Sequence, residues 1–252
     1  MARAAVVIPA RYASVRLPGK PLLRETGKYL IQHVYERAAL AARIDEVAVA
    51  TDDERIRDAV ESFGGRAVMT SPRHRSGTDR VAEAARQIEA DVVVNVQGDE
   101  AEVQPDAIDL AVDLLDRHHQ AHVSTLAVPT CEPQLVRDPN LVKVVLDAQG
   151  YALYFSRAPI PASKSYPQFP PGDSPVYLGH IGLYGFRRDF LFRFASLDRS
   201  PLEQREELEQ LRILEHGYRL VVGISSYQGF GIDTPEDYRG FVERWRARHS
   251  PD

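Results

Sequence analysis

The sequence is almost free of cysteine, since Cys131 is the single thiol among its 252 residues. One cysteine excludes an intrachain disulfide and any metal site built from several thiolates. No Cys-x-x-Cys pair or other thiol motif surrounds Cys131, which argues against a role as a nucleophile. The chemistry of this chain must therefore come from other side chains.

Long apolar runs are also missing, and no stretch approaches the roughly 20 residues that a membrane-spanning helix needs. The segment Met1–Pro9 is too short and too early interrupted by proline to act as a signal peptide. We expect it to form a first strand, in a cytoplasmic chain with no membrane partner. Positive charge is not in excess either: the net charge of −5 argues against a nucleic-acid partner.

The first half alternates apolar runs with helix-like stretches, which is typical of an α/β fold. Its short runs, such as Ala4–Ile8 and Val92–Val96, are continuously apolar, as parallel strands covered on both faces are. Thr51–Glu54 resembles a strand end that leads into a capped helix, and Gly64-Gly65 marks a helix end. In such sheets ligands bind beyond the carboxyl ends of the strands, so the loops there are the place to look for a site.

The second half has a different pattern. Val142–Leu146 and Tyr151–Ser156 flank a turn and predict an antiparallel hairpin. A Pro- and Ser-rich loop follows, and then a strand on which His180, Gly182 and Tyr184 share one face. Pro201–His216 predicts one amphipathic helix, and Thr234 with Pro235 predicts the start of a terminal helix.

The loop after the first strand, Pro9–Pro21, combines small residues with three basic side chains, Arg11, Arg16 and Lys20. Exposed backbone amides and bases suit a triphosphate. The loop nevertheless lacks both the Gly-x-x-x-x-Gly-Lys-Ser/Thr and the Gly-x-Gly-x-x-Gly spacing. Its composition alone fits a solvated surface loop as well as it fits a phosphate site.

Carboxylates follow the strand Val92–Val96, in the run Gln97-Gly-Asp-Glu100. Asp99 at this strand end is a candidate ligand for magnesium, which binds through one or two carboxylates and substrate phosphates. Asp233, on another loop, is a second candidate. The alternative for each is a helix cap or a turn residue.

Seven segments, taken together and in order, resemble the family of 3-deoxy-manno-octulosonate cytidylyltransferases, also called CMP-Kdo synthetases. The resemblance covers nearly the whole chain. The segments are Pro9-Ala-Arg-Tyr-Ala-Ser-Val-Arg-Leu-Pro-Gly-Lys-Pro21, His74-Arg-Ser-Gly-Thr-Asp-Arg80, Asn95-Val-Gln-Gly-Asp-Glu100, Tyr154-Phe-Ser-Arg157, His180-Ile-Gly-Leu-Tyr184, Leu208-Glu-Gln-Leu-Arg212 and Asp233-Thr-Pro-Glu-Asp237.

This resemblance implies an α/β fold with a mostly parallel twisted sheet, of the Rossmann-like nucleotide-diphospho-sugar transferase type, and an antiparallel hairpin in the second half. It implies one domain over residues 1–252, in which residues 1–130 mainly bind nucleotide and residues 131–230 mainly bind the sugar acid and dimerise. The implied reaction joins CTP to 3-deoxy-D-manno-octulosonate (Kdo), with Mg²⁺, to give CMP-Kdo and pyrophosphate for lipopolysaccharide biosynthesis. The implied assembly is a homodimer.

The resemblance also assigns roles to individual residues. Those implied to bind the nucleotide are Pro9, Ala10, Arg11, Ser14, Arg16, Lys20, Ser76, Gly77, Arg80 and Asp99. Those implied to contact the sugar acid are Gln97, Arg157, His180, Tyr184, Glu209 and Gln210. Asp99 and Asp233 are the implied magnesium ligands, and together with Arg16 and Lys20 they form the implied catalytic group.

Two departures from the family pattern bear on the acceptor. Ala101 stands where the family usually has proline, and Pro161–Pro175 carries no family signature. A sister enzyme that uses an amino-Kdo or a phosphonate acid therefore stays open. A sialic acid enzyme usually reads Ala-Arg-Gly-Gly-Ser in the first loop, unlike the segment here. A catalytically inactive nucleotide-binding scaffold is the alternative outside enzymes. Taken singly, His180 and Tyr184 could be half-buried strand residues, Glu209 a solvated charge, and Arg157 a structural contact.

Overall fold

The computed structural model describes residues 2–13, 16–162, 164 and 177–249. The chain divides into two compact units, Met1–Asp109 with Gly229–Asp252, and Leu110–Gln228. Its strands are β1 (Ala4–Ala10), β2 (Glu46–Thr51), β3 (Arg66–Met69), β4 (Val92–Asn95), β5 (Val123–Thr130), β6 (Lys143–Leu146), β7 (Ala152–Ser156), β8 (Tyr177–Arg187) and β9 (Leu220–Ile224).

The helices are α1 (Leu30–Ala38), α2 (Glu54–Ser62), α3 (Gly77–Ala84), α4 (Pro105–Arg117), α5 (Pro133–Arg137), α6 (Arg188–Phe194), α7 (Pro201–Glu206), α8 (Leu211–Glu215) and α9 (Pro235–His249). Two 3₁₀ turns, Lys20–Leu22 and Ala85–Gln87, complete these elements. Within the ranges that the structure describes, no helix combines the length and the apolarity that crossing a membrane requires.

The first unit contains a parallel sheet in the order β3-β2-β1-β4. Every residue of β1 and of β4 is buried. This burial explains why the two segments are continuously apolar rather than alternating. Because β1 and β4 are parallel neighbours, with Val7 opposite Asn95, the loops that follow them leave the same edge of the sheet.

Polar caps begin three helices of this unit where the chain leaves a strand or a loop. The Asp53 side chain accepts a hydrogen bond from the Arg55 amide at the start of α2. Ser76 Oγ accepts from the Asp79 amide at 3.1 Å at the start of α3. Thr234 Oγ1 accepts from the Asp237 amide at 3.1 Å at the start of α9. The predicted caps before α2 and α9 are therefore confirmed.

The second unit is built on β5, which pairs antiparallel with β8 and parallel with β9. β6 and β7 form the predicted antiparallel hairpin. In its turn, Asp147 Oδ1 accepts hydrogen bonds from the amides of Gln149 and Tyr151, both at 2.9 Å, and Gly150 has a φ of 84° that favours glycine. The hairpin prediction is confirmed.

The single helix predicted over Pro201–His216 is wrong, because the chain breaks there into α7 and α8. Glu207 takes a left-handed conformation with a φ of 53°. In an unbroken helix Glu203 and Arg212, nine positions apart, would face about 180° away from each other at ~100° per residue. The break instead joins them in a buried ion pair, with Arg212 Nη2 2.6 Å from Glu203 Oε1.

Candidate active site

The loop that follows β1 is held in a defined shape by its own backbone. Gly19 has a φ of 67°, and its amide donates to the Tyr12 carbonyl oxygen at 3.1 Å. A Cβ atom at Gly19 would lie 3.3 Å from the Tyr12 ring. The Arg55 guanidinium lies 3.4 Å from the centre of the same ring. Tyr12 therefore packs between the end of the loop and the start of α2.

Lys20, at the end of this loop, joins the two carboxylates predicted to bind magnesium. Its Nζ lies 2.8 Å from Asp99 Oδ2 and 3.1 Å from Asp233 Oδ1. Arg16 Nη2 lies 2.9 Å from the other oxygen of Asp233. The fold therefore brings together the whole predicted catalytic group, although its members lie up to 217 positions apart in the sequence, from Arg16 to Asp233.

A cavity of about 300 Å³ opens at the carboxyl ends of β1 and β4. Its walls combine basic side chains with small residues and one carboxylate. They comprise Pro9, Ala10, Arg11, Ala13, Lys20, Pro21, Arg75, Gly77, Arg80, Gln97, Gly98 and Asp99. Eight of these residues are among the predicted contacts, so the structure brings most of the predicted nucleotide site into one place.

One position in this cavity, Gly98, depends on close backbone packing. A Cβ atom at Gly98 would approach the Pro9 carbonyl oxygen to 2.8 Å, which no relaxed structure allows. Glycine at this position lets the ends of β1 and β4 lie side by side, and the next residue is Asp99. Gly77, the first residue of α3, would place a Cβ 3.4 Å from Pro9, an ordinary contact.

Arg80 is fully buried and has partners within the protein. Its Nη2 lies 2.9 Å from Asp52 Oδ2, and its Nη1 donates to Thr70 Oγ1 at 2.6 Å. It therefore anchors α3 to the loops that follow β2 and β3, in addition to lining the cavity. Ser76 has a similar supporting contact, because its hydroxyl caps α3.

The second unit brings His180 and Tyr184 together on one face of β8, as predicted. Their ring centroids are 5.4 Å apart, and the His180 ring also packs edge-on against Phe155 at 4.9 Å. Burial lowers the pKa of His180 to about 3, so the imidazole is neutral near pH 7. Burial, and next the nearby Glu209 carboxylate, raise the pKa of Tyr184, so its hydroxyl keeps its proton.

The proton on His180 can be placed on one ring nitrogen. Thr125 Oγ1 has one hydrogen and two carbonyl oxygens within reach, of Leu183 at 2.8 Å and of Ile181 at 3.1 Å. When the hydrogen goes to either carbonyl, the contact of 2.9 Å with His180 Nε2 is one in which Nε2 donates to the hydroxyl. Nδ1 is therefore an acceptor, suited to a substrate hydroxyl.

Arg157, predicted to contact the sugar acid, has several partners within the protein. Its Nε, Nη1 and Nη2 donate to the carbonyl oxygens of Glu206, Pro139 and Glu207 at 2.8, 2.9 and 3.3 Å. In this structure the guanidinium stabilises the segment between α7 and α8 through hydrogen bonds to its backbone. Gln210 is buried at the start of α8, and Glu209 lies beside it, with its Oε1 3.7 Å from Arg212.

Ser14, predicted to bind phosphate, lies outside the described residues, as do most positions of the Pro161–Pro175 loop. The sequence analysis missed several residues that support the two groups. Thr125 sets the His180 tautomer, Arg75 adds a base to the cavity, and Glu203 and Glu206 hold the segment that carries Glu209 and Gln210. Only Arg75 had a sequence signal, because it falls within the quoted segment His74–Arg80.

Comparisons with known proteins identify the family of this chain. A family model described as Cytidylyltransferase matches residues 5–220. The 3-deoxy-manno-octulosonate cytidylyltransferase of Syntrophotalea carbinolica is 53% identical over 92% of this chain and 94% of its own length. That of Geobacter metallireducens is 48% identical over 94% of this chain and 96% of its own length. This chain belongs to the 3-deoxy-manno-octulosonate cytidylyltransferase family.

Solved structures extend the comparison to the fold. A structure of CMP:2-keto-3-deoxy-manno-octonic acid synthetase complexed with CTP superposes with a TM-score of 0.91 at 41% identity, covering 98% of this chain and 99% of that one. A cytidylyltransferase from Leptospira borgpetersenii, at 18% identity and a TM-score of 0.62, covers 95% of this chain and 85% of its own and shares the fold. The predicted family and the predicted α/β class, mostly parallel with antiparallel strands, are confirmed.

Proposed function

We propose that this member of the cytidylyltransferase family transfers CMP from CTP to the anomeric hydroxyl of 3-deoxy-D-manno-octulosonate. The anomeric oxygen attacks the α-phosphorus of CTP, the bond from that phosphorus to the bridging oxygen of the β-phosphate breaks, and pyrophosphate leaves. The hydroxyl proton passes to solvent. The observation that supports this proposal most directly is the strand-end cavity lined by bases and Asp99, in whose wall Lys20 Nζ lies 2.8 Å from Asp99 and 3.1 Å from Asp233.

The carboxylate pair fits a hard divalent cation. Asp99 and Asp233 direct one oxygen each to the same nitrogen, so a cation at the position of that nitrogen would contact both carboxylates. No group of three or more potential His, Cys, Asp or Glu ligands occurs in the part of the chain that the structure describes. Two carboxylates, completed by water and substrate phosphate, are the donor set that magnesium prefers. Magnesium, bound there, would supply charge neutralisation at the reacting phosphate.

The protein's own residues would orient and neutralise the triphosphate. Arg11, Lys20 and Arg75 present positive charge to the cavity. Phosphoryl transfer needs little covalent help from a protein, so positioning and charge are the terms that these residues supply. Negative charge develops on the leaving pyrophosphate as its bridging oxygen separates from the α-phosphorus, so bases near the leaving group stabilise the transition state more than the ground state.

Kdo is the acceptor that the relatives favour, since those 48–53% identical are named for it. In the second unit, His180, Tyr184, Glu209 and Gln210 would contact its hydroxyl and acid groups. The His180 Nδ1 acceptor and the protonated Tyr184 hydroxyl offer complementary hydrogen bonds to a polyol.

A pyrophosphate-release assay tests the reaction. CTP is combined with Mg²⁺ and one acid from a panel of Kdo, an amino-Kdo, a sialic acid and a phosphonate. We expect turnover with CTP and Kdo, and little with ATP or GTP, because the small residues around Ser76 and Gly77 should leave little room for a purine. Preference for another acid would reassign the acceptor. No release with any acid would support an inactive scaffold.

Asp99→Asn tests the carboxylate pair. The amide keeps the shape of the side chain and loses the charge, so we expect turnover to fall to background with an unchanged melting temperature. Glu36→Gln, the same change at a surface ion pair in the same unit, should keep full activity. Activity near wild type for Asp99→Asn at ordinary magnesium concentrations would contradict the assignment.

His180→Ala and Glu209→Ala test the acceptor residues. Loss of a buried hydrogen bond costs about 1–3 kcal/mol, which lowers catalytic efficiency roughly tenfold to a hundredfold. We expect this loss when the acid is varied at saturating CTP, and little change when CTP is varied. Wild-type efficiency for the acid in both variants would show that the acceptor pocket has been misplaced.

A homodimer in the cytoplasm completes the proposal. The second unit exposes the apolar side chains of Leu135, Leu153 and Ile224, by 43%, 60% and 51%. Burial of such side chains against a second copy would remove them from water. Light scattering on the purified chain should report twice the 28.2 kDa monomer mass, and a monomer at micromolar concentration would contradict the dimer.

A further inference from the structure

The magnesium pair, Asp99 and Asp233, is already neutralised by the protein's own cations. Lys20 Nζ contacts one oxygen of each carboxylate, at 2.8 and 3.1 Å. Arg16 contacts the second oxygen of Asp233 at 2.9 Å. The Lys20 side chain is only 13% exposed, whereas Arg16 is 65% exposed. Two carboxylates and two cations give this cluster a formal charge of zero.

A divalent ion cannot simply be added to this arrangement. The carboxylate oxygens that it needs are the ones that accept from Lys20, and the ammonium is a strongly hydrated point charge that needs acceptors of its own. A divalent cation beside an ammonium of the same sign would also leave the cluster with two excess positive charges. Entry of the metal therefore requires Lys20 to move to other acceptors.

We propose that Lys20 is an internal counter-ion that occupies the metal position until the triphosphate withdraws it. This inference rests on the proposed function, because it takes CTP phosphates as the new partners of Lys20. The cavity supports such a move, since Lys20 lies in its wall beside Arg11 and Arg75. Nucleotide and metal then bind with positive cooperativity, and each must raise the affinity for the other by the same factor.

The alternative role, in which Lys20 only contacts a nucleotide phosphate, predicts a different effect of its removal. If Lys20 only bound the nucleotide, its removal would weaken CTP binding and leave the affinity for metal alone unchanged. If Lys20 holds the metal position, its removal takes the ammonium away from Asp99 and leaves Asp233 with Arg16, so the cluster gains one net negative charge and binds metal alone more tightly. The sign of the change therefore separates the two roles.

The experiment titrates Mn²⁺ alone, without nucleotide or acid, and measures free Mn²⁺ by electron paramagnetic resonance. Wild type is compared with Lys20→Met and with Lys28→Met. The latter is a matched control, because Lys28 Nζ pairs with Glu36 at 2.6 Å on the surface of the same unit. We expect Lys20→Met to bind Mn²⁺ about tenfold more tightly than wild type, and Lys28→Met to match wild type.

Further arms keep the result interpretable. Thermal melts establish that each variant is folded, and Lys20→Gln replaces Lys20→Met if the latter does not fold. The double variant that combines Lys20→Met with Asp99→Asn should lose the gain in Mn²⁺ affinity, which would locate the ion at Asp99. Equal or weaker Mn²⁺ binding by the folded Lys20 variant, including no detectable binding by either protein, would overturn the proposal.

A second Mn²⁺ titration, with CTP present, separates this inference from the proposed function. If wild type with CTP retains no protein-bound Mn²⁺ beyond that held by free CTP, the metal assignment itself fails. If wild type binds Mn²⁺ with CTP but the Lys20 variant gains nothing without it, the metal site stands and the counter-ion role is wrong.

Discussion

The buried ion pair between Glu203 and Arg212 offers the sharpest test of how the second unit is held together. Arg212 Nε and Nη2 donate to the two Glu203 oxygens at 2.7 and 2.6 Å. Glu203 also accepts from the Ser200 amide at 3.2 Å, which caps α7. The change to make is Glu203→Gln, because glutamine can keep the cap while it removes the charge.

The size of the effect follows from burial. Both side chains are at most 8% exposed, so neither ion is well solvated. Removal of one partner of such a pair costs about 3–5 kcal/mol, because Arg212 stays buried and loses its two shortest charged hydrogen bonds, while its next carboxylate, Glu209, is 3.7 Å away. For a chain of this size that corresponds to a drop of roughly 6–20 °C in Tm. Glu36→Gln, whose pair with Lys28 is about two-fifths exposed on each side, should cost less than ~1 kcal/mol.

Urea and thermal unfolding of both variants measure the difference at pH 7. Glu203→Met combined with Arg212→Met removes both charges and should recover much of the stability that Glu203→Gln loses. We also expect Glu203→Gln to raise KM for the acid, because the pair holds the break that carries Glu209 and Gln210. A loss no larger than that of Glu36→Gln would refute the reasoning.

The pH dependence supplies a second check on the same pair. Burial raises the pKa of Glu203, but its hydrogen bonds from Arg212 outweigh burial and lower the pKa below 4.5. A carboxylate with a lowered folded-state pKa stabilises the protein above its unfolded pKa and loses that contribution as pH falls through the folded value. The stability difference between wild type and Glu203→Gln should therefore be full at pH 7 and shrink below about pH 4.5.

Three further predictions concern other sites. Gly98→Ala should impair turnover, because its Cβ would lie 2.8 Å from the Pro9 carbonyl oxygen and displace Asp99. Gly182→Ala, which has open space around its Cβ, should keep turnover, and equal activities of the two variants would contradict this prediction. Burial lowers the pKa of His33 to about 4, so the unfolded state takes up a proton first as the pH falls below 6.5. The free energy of unfolding should then decrease by about 1.4 kcal/mol for each pH unit from 6.5 down to 4, and His33→Gln should flatten that slope in urea titrations. Arg157→Ala should lower Tm as well as acid affinity, because Arg157 donates to three backbone carbonyls; an unchanged Tm with weaker acid binding would favour a direct sugar contact.

The strand-end site could be predicted because parallel α/β sheets constrain where loops meet. Apolar runs located β1 and β4, and the polar residues directly after them had to leave the same edge of the sheet. That geometry carried Arg11, Lys20, Gln97 and Asp99 into one cavity. The family resemblance then supplied their expected roles, and the family itself was confirmed.

The break between α7 and α8 could not be predicted from the same sequence. Leucine spacing over Pro201–His216 favours a continuous helix, and no Gly or Pro interrupts it. The left-handed residue is Glu207, a type that rarely adopts this conformation on its own. The buried pair of Glu203 with Arg212, and the bonds of Arg157 to the break, stabilise it through contacts that arise only on folding.

The sequence by itself determined the fold class, the family and the edge of the sheet where the site lies, because these depend on local periodicity and on the order of strands. The tertiary structure alone decided which charges meet. Lys20 contacts a residue 213 positions away, and Arg157 contacts one 49 positions away, and no local pattern encodes such distances. Ion pairs are formed by packing, so only the folded chain shows that Lys20 stands between Asp99 and Asp233.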